Sequence, residues 1–506
     1  MSVINIIKLM MASTLTCMVY ACDFTEKNID PNSPTSIEPG PLLTYTQLHT
    51  TTGGIAKNIQ VGTCMMLVQQ AASLNNDMPG DKYYQMESYA NTFFTDTYSD
   101  LINWRELEEK ASSDAKYSNI LGATKIWGAY LFQRLTDIYG NVPYSEAGLG
   151  YYQQIYKPKY DNQETIYKDM IQQVKDGVNL LNANNPAIDG DLFYDGDINK
   201  WKKFGGSLLL RIGMRLSEVA PDLAKQTVAD AVTIGVMSQP EDICLLRHDG
   251  SGKNAFKNPL SFRYLDDNFI ESDAVKIGKT FMDYLKKTKD PRIHVYCSLK
   301  DGNTEFDKQF GLPNGYDSHT IADAPSGSFV GLENTSNFNI NTILRLDAPT
   351  IFLMPSETKL LLAEAVLRNW TNGNAEVLYK EAITSSMKEQ EIAYGTQGKI
   401  TDEEIETYLA QNLFSTANNT EKLQIIGEQY WVATFINGYE SYANWRRTGY
   451  PKLIPTNYSG SMSPGVIPTR LPYPTDEYSI NRANVDTANQ QQGADKVTTH
   501  IWWDID

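Results

Sequence analysis

The chain of 506 residues is short of cysteine, of histidine and of positive charge, and each shortage removes a class of function. Its five cysteines, Cys17, Cys22, Cys64, Cys244 and Cys297, stand far apart, so they make neither a disulfide framework nor a C-x-x-C zinc site. Beyond residue 22 only three remain, enough for one disulfide at most. The five histidines, His49, His248, His294, His319 and His500, show no H-x-x-x-H or H-E-x-x-H spacing, and no metal is expected. Sixty-one acidic residues against 44 Lys plus Arg leave a formal charge of −17, which repels a phosphate backbone, so nucleic acid is not an expected partner.

Catalytic spacings are missing as well. Gly250-Ser251-Gly252-Lys253 lacks the first Gly of a phosphate loop, where Arg247 stands, and its Ser or Thr, where Asn254 stands. No G-x-S-x-G elbow occurs. Asp195-Gly196-Asp197-Ile198-Asn199 copies the opening of a calcium loop, but Lys200 replaces its Gly and Gly206 its bidentate Glu, so the segment reads as a turn leading into a helix. Adjacent acids such as Glu108-Glu109 and Asp266-Asp267 read as solvated helix faces, because glycosidase carboxyls must converge from opposite sides of a bond. An all-helical surface glycosidase is the weakest of the functional alternatives, and no cofactor is expected.

What is present begins with a leader. Residues 1–21 hold one base, Lys8, and an apolar run from Leu9 to Tyr20 that is too short to span a bilayer, the pattern of a secretory signal. Val19-Tyr20-Ala21-Cys22 resembles a bacterial lipoprotein box, in which Cys22 is lipidated. Residues 22–41 then carry Pro31, Pro34, Pro39 and Pro41 among Asn and Ser, the composition of a semi-rigid tether. Acyl chains on Cys22 would hold the body, residues 42–506, at a membrane surface without a spanning helix.

The body repeats apolar residues at helical spacing. Leu42 to Leu74, with a break at Gly53-Gly54, is followed by Glu87–Lys110, Tyr117–Tyr139, Glu164–Leu181, Asn199–Val219, Pro221–Ile234 and Ala274–Thr288. Helices resume at Pro355–Trp370, Ala375–Gln390, Asp402–Ala410 and Lys422–Ile436. Many pair into helix-turn-helix units of roughly 35 to 45 residues, the length of tetratricopeptide-like stacking. The fold class is therefore all-α dominated: a tetratricopeptide-like scaffold with an irregular, loop-rich capping region at about 247–345, whose aromatics, Tyr264, Tyr296, Tyr316 and Phe338 among them, argue against disorder.

Several motifs together resemble the SusD/RagB family of Bacteroidetes outer-membrane lipoproteins. They are the Cys22-to-Thr35 tether with its N-x-D-P-N-x-P-T run; Arg134-Leu-Thr-Asp-Ile-Tyr-Gly-Asn-Val-Pro-Tyr144, with Asn141 where Asp is usual; and Trp201 with Ser207-Leu-Leu-Leu-Arg211. Asp290-Pro-Arg292, Ser356-Glu-Thr-Lys through Ala365, Asn444-Trp-Arg-Arg-Thr-Gly-Tyr-Pro451 and Arg470-Leu-Pro-Tyr473 complete the set. Physically these read as scaffold: Gly140-Asn141 ends a helix, Ala363 and Ala365 permit close approach, and Trp201 and Trp445 fill core. The resemblance implies a surface-exposed lipoprotein that binds a nutrient glycan and hands it to a SusC-like TonB-dependent transporter, with no catalysis; some relatives capture peptides instead. It also implies a ligand groove bordered by the loop Asn75–Tyr84, which makes Asp77, Tyr83, Tyr84 and Tyr316 the expected ligand-binding residues, their rings stacking on sugars.

Overall fold

The computed structural model describes residues 37–51, 55–76, 78, 80–266, 275–414 and 416–505. The signal segment, Cys22 and the tether as far as residue 36 lie outside the described residues. One compact unit begins at Pro39 and runs to the C-terminus. Its first helix, α1 (Pro39–His49), starts inside the stretch read as spacer, because Pro39 and Pro41 occupy a first turn, where a missing N–H is no loss.

The longer helices that follow are α2 (Glu87–Ser112), α3 (Ser118–Tyr139), α4 (Gln163–Leu180), α5 (Ile198–Arg215), α6 (Pro221–Ile234) and α7 (Lys279–Thr288). After the irregular region come α8 (Pro355–Leu367), α9 (Ala375–Tyr394), α10 (Asp402–Gln411), α11 (Asn419–Ala433), α12 (Gly438–Thr448) and α13 (Arg482–Gln492). The Asp195–Asn199 turn leads into α5 as its sequence indicates: the Asp197 carboxylate caps the helix by accepting from the N–H groups of Asn199 and Lys200. The second half of the Leu42–Leu74 stretch is a π-helical segment, Ile55–Met65. The chain turns just beyond it, where the Trp431 indole N–H satisfies the Val68 carbonyl at 3.0 Å.

Neighbouring helices run antiparallel in pairs. Early α3 meets late α4 at two glycines: a Cβ on Gly122 would stand 2.7 Å from the Gly177 carbonyl oxygen, and one on Gly177 would stand 2.7 Å from that of Gly122. Only glycine lets the two backbones touch there. At the other end of the same pair, Gln163 Nε2 donates to the Thr136 carbonyl at 2.8 Å. The Tyr139 hydroxyl donates to the Ala90 carbonyl at 2.6 Å and ties the end of α3 to the start of α2.

Buried ion pairs lock the stack, and motif residues supply most of them. Arg211 on α5 grips Glu357 on α8 through two bonds of 2.5 and 2.8 Å. Arg447 on α12 grips Glu364 on α8 at 2.7 and 2.7 Å, and Arg215 reaches Glu440 at 2.7 Å. Arg292 pairs with Asp290 at 2.5 Å, both fully buried. Burial alone would push the Glu364 carboxyl up, but Arg447 and Arg368 outweigh it and hold the group down at about 2. Trp201 is fully buried and Trp445 half-buried. Cys64, Cys244 and Cys297 are free and buried.

α12 and α13 escape a hydrophobic-periodicity reading for a physical reason. α12 buries Glu440, Asn444, Arg446 and Arg447 beside its tyrosines, and α13 buries only Val485 and Ala488. The region 247–345 is held by short strands such as Cys297–Ser298 with Asn337–Phe338, and it buries Tyr264, Tyr296 and Phe338. Among the described residues no helix is long and apolar enough to cross a membrane.

Candidate functional site

Three loops, residues 73–84, 311–321 and 454–462, converge beside the start of α2. The first follows the strand Ala71–Ala72, which pairs antiparallel with Lys276–Ile277. The second is drawn alongside it, because Leu312 N–H donates to the Ile277 carbonyl at 2.8 Å and Asn314 Nδ2 to the Ala71 carbonyl at 2.7 Å.

Beneath the junction lie two residues adjacent in sequence. Asp81 is 1% exposed and Lys82 0%, and Lys82 Nζ stands 2.9 Å from Asp81 Oδ1 while donating to the Ser73 carbonyl at 2.6 Å. Asp81 Oδ2 accepts from Ser73 N–H at 3.4 Å and from Gly315 N–H at 3.2 Å, and the Asp81 carbonyl accepts the Thr456 hydroxyl at 2.7 Å. One residue thus contacts all three loops. Burial pushes its carboxyl up against the pull of Lys82. The fit is tight: Gly315 has a φ of +86°, and a Cβ there would stand 2.6 Å from Thr456 Cβ.

Tyr83 belongs to this foundation and not to the surface, which corrects its reading as an exposed ring. Its backbone is left-handed, with φ +53°, and turns the side chain inward, where it is 1% exposed and its hydroxyl oxygen accepts from Thr456 N–H at 3.3 Å. The Tyr83 carbonyl accepts from Met462 N–H at 2.7 Å. The same turn leaves Tyr84 half-buried at the surface.

Tyr84 meets Tyr458 edge to face, with ring centroids 5.8 Å apart, and packs over Gly460. The Tyr458 hydroxyl donates to Asp317 Oδ2 at 2.7 Å. Asp317 Oδ1 accepts from Thr320 N–H and hydroxyl, each at 2.8 Å, and from His319 N–H at 2.9 Å. Desolvation opposes ionisation of Asp317, but the bonds from Tyr458, Thr320 and His319 hold its carboxyl well below the usual range. The same contact pushes the Tyr458 phenol up to about 12. Tyr316 sits half-buried on a small apolar cluster of Ala72, Leu74 and Leu312. The exposed residues of these loops include Asn76, Ser318, His319, Asn457 and Ser459, with Gln85 next to Tyr84 and Ile454 exposed at the start of the third.

The surface therefore offers aromatic rings among neutral donors and acceptors, and both Asp81 and Asp317 have their oxygens committed to hydrogen bonds. Such a surface binds polar ligands by stacking and hydrogen bonding. Of the residues expected from sequence, Tyr84 pairs with Tyr458, Tyr316 stands on the neighbouring loop beside Asp317, Tyr83 is buried beneath the turn that carries Tyr84, and Asp77 lies outside the described residues. The third loop went unread, although Asn457-Tyr458-Ser459-Gly460 has the same composition, tyrosine among small polar residues, that singles out Asn75–Tyr84. Asp317 carries no sequence signal.

The sequence matches a SusD-like family model, described as starch-binding and associating with the outer membrane, over residues 31–474. Among curated proteins none matches it. Among solved structures, a chitin-binding protein is 31% identical, with a TM-score of 0.82 over 93% of this chain and 100% of its own. A SusD-like protein from Bacteroidetes AC2a is 25% identical, with a TM-score of 0.82 over 93% and 100%. A chitin-binding SusD homologue from Flavobacterium johnsoniae is 23% identical, with a TM-score of 0.76 over 92% and 98%, a likeness of fold. With the helical scaffold, the motif-borne ion pairs and a family match across most of its length, the chain belongs to the SusD-like family of proteins that associate with the outer membrane.

Proposed function

We propose that this protein is a cell-surface lipoprotein, anchored through Cys22, that captures a glycan on the Tyr84–Tyr316–Tyr458 face and delivers it to a SusC-like TonB-dependent transporter. The carrying observation is the edge-to-face pair of Tyr84 and Tyr458, with half-buried Tyr316 next in sequence to the Asp317 that Tyr458 bonds, over a fully buried Asp81–Lys82 pair. Sugar rings present apolar C–H faces and equatorial hydroxyls, and this face has a partner for each. Stacking contributes about 0.5–1.5 kcal/mol per ring beyond area burial, so three rings in one patch suit an oligosaccharide better than a monosaccharide. The 31% identity to a chitin-binding protein directs the choice of glycan to chains of β-linked N-acetylglucosamine. The role proposed is capture without catalysis, and it is supported by Asp81 and Asp317, the acids described at the face, both being held in structural hydrogen bonds.

Peptide capture is the alternative within the family, and it calls for a large apolar groove instead of rings among amides. Titration calorimetry of residues 23–506 against oligomers of chitin, starch and xylan and against mixed peptides separates the two. Saturable heat from chitin oligomers, with no continuing heat of turnover, is the expected result. Heat from peptides alone would overturn the glycan reading, and continuing heat would mean an enzyme.

A further inference from the structure

A second polar groove opens at the same end of the scaffold. Tyr84 stands three residues before the first residue of α2, α2 and α3 are antiparallel, and Tyr139 at the end of α3 bonds to Ala90 in the first turn of α2. Just past Tyr139, the chain at Asn141 forms one wall of a groove of about 210 Å³ whose other walls are the start of α4, the end of α13 and residues 500–502.

The lining is made of amides and one indole. Gln163 is fully buried; because its Nε2 donates to the Thr136 carbonyl at 2.8 Å, the amide orientation is fixed and Oε1 is left as a buried acceptor with no hydrogen-bond partner. Gln492 is locked as wall, its Oε1 accepting from Asn141 N–H at 2.6 Å and its Nε2 donating to the Tyr139 carbonyl at 2.9 Å. The Asn162 side-chain oxygen caps α4 by accepting from Thr165 N–H at 2.9 Å, and the residue is exposed, so its NH₂ group remains a surface donor. Gln491 and His500 are exposed, and Trp502 is half-buried with its ring beside that of Tyr167. No Lys or Arg lines the groove, and its one carboxylate, Glu164, is paired with Lys168 at 2.5 Å.

We propose that this groove is a second glycan subsite, in which Trp502 supplies a stacking face and Asn162 and Gln491 bond to ring hydroxyls, while the buried Gln163 and the locked Gln492 form its wall. A neutral polyhydroxylated chain is the ligand class this lining fits: an anion finds no Lys or Arg in the lining, and an apolar ligand would cover the exposed Asn162 and Gln491 amides without pairing them. The proposal rests on the glycan reading of the tyrosine face and extends it to a chain that contacts two places at one end of the scaffold.

The test uses residues 23–506 labelled with 5-fluorotryptophan, the Trp502 fluorine signal being assigned by its loss in Trp502→Phe. Titration with the N-acetylglucosamine hexamer is expected to shift the Trp502 signal saturably, and to shift it still in the Tyr84→Ala variant. Trp502→Ala is expected to weaken hexamer binding by about five- to tenfold, the worth of one stacked ring, while leaving dimer binding at the tyrosine face unchanged. If calorimetry registers the hexamer and the Trp502 signal stays still, the groove is not a subsite and the tyrosine-face reading stands. If neither method registers any glycan, both readings fall together.

Discussion

The Tyr458 hydroxyl donates a 2.7 Å hydrogen bond to the carboxylate of Asp317, a residue 141 positions earlier, and so fastens two loops of the proposed binding face to each other. Removing that hydroxyl while keeping the ring isolates the bond. Tyr458→Phe is expected to weaken glycan binding about three- to tenfold by calorimetry, a part of the roughly 1.5–3 kcal/mol that a hydrogen bond to a charged group contributes, with little change in melting temperature. Binding equal to wild type would mean that the other contacts of these loops, those of Asp81, Tyr83 and Asn314, hold the face without this bond.

The Asp81–Lys82 pair beneath those loops has the opposite signature. Lys82→Met leaves a buried carboxylate without its cation, and breaking a buried pair from one side costs about 3–5 kcal/mol, reduced to the extent that Asp81 takes up a proton. Denaturant unfolding is expected to show a loss of that order, and the double variant Asp81→Asn/Lys82→Met is expected to recover part of it. A single variant as stable as wild type would contradict the assignment of this pair as the foundation of the site.

How much of this was legible in advance follows from where each feature's signal resides. Pro221–Ile234 is bounded in sequence by a proline and a glycine, and the helix has those limits. α13 carries no apolar period and is invisible to such a reading, since its fold comes from contacts with distant segments: Gln492 bonds to Tyr139 and Asn141 across more than 350 positions. The motif residues were readable as scaffold, and Arg211, Glu357, Glu364 and Arg447 prove to be its buried ion pairs. Tyr83 and Tyr84 look alike in sequence, and only the positive φ at Tyr83 decides which ring reaches the surface. The third loop joins the site through Thr456 and Tyr458, contacts that span 375 and 141 positions and leave no local trace.

Glu389 gives the fold a pH dependence of predictable sign. It is 1% exposed, and burial raises its carboxyl to about 7 against the hydrogen bonds from Ser356 N–H and hydroxyl. Because the folded state holds this proton more tightly than the unfolded chain, the contribution is complete below a glutamate's ordinary value and is lost as pH rises through about 7. Melting temperature is expected to fall between pH 5 and 8, and Glu389→Gln is expected to flatten that fall, by an amount on the order of 3 kcal/mol at most. An unchanged profile in the variant would show that Glu389 is not the titrating group.

The proposed anchoring rests on Cys22. Cys22→Ala is expected to release the protein from sedimented membranes into the soluble fraction, because the proposed acyl chains would contribute about 0.8 kcal/mol per buried CH₂ and among the described residues no helix is long and apolar enough to replace them. A variant that still sediments with membranes would contradict the lipid anchor.

The most direct test of the binding face is calorimetry with the N-acetylglucosamine hexamer on wild type and on Tyr84→Ala/Tyr316→Ala, with melting temperature followed in parallel. Both rings are half-buried at the surface and carry no backbone-fixing bond of the Tyr83 kind, so the double variant should stay folded. The expected result is saturable binding by wild type and a loss of about tenfold or more in the variant, the worth of two stacked rings. Affinities within about twofold of each other, in a variant that melts like wild type, would place the glycan elsewhere on the molecule and contradict the account.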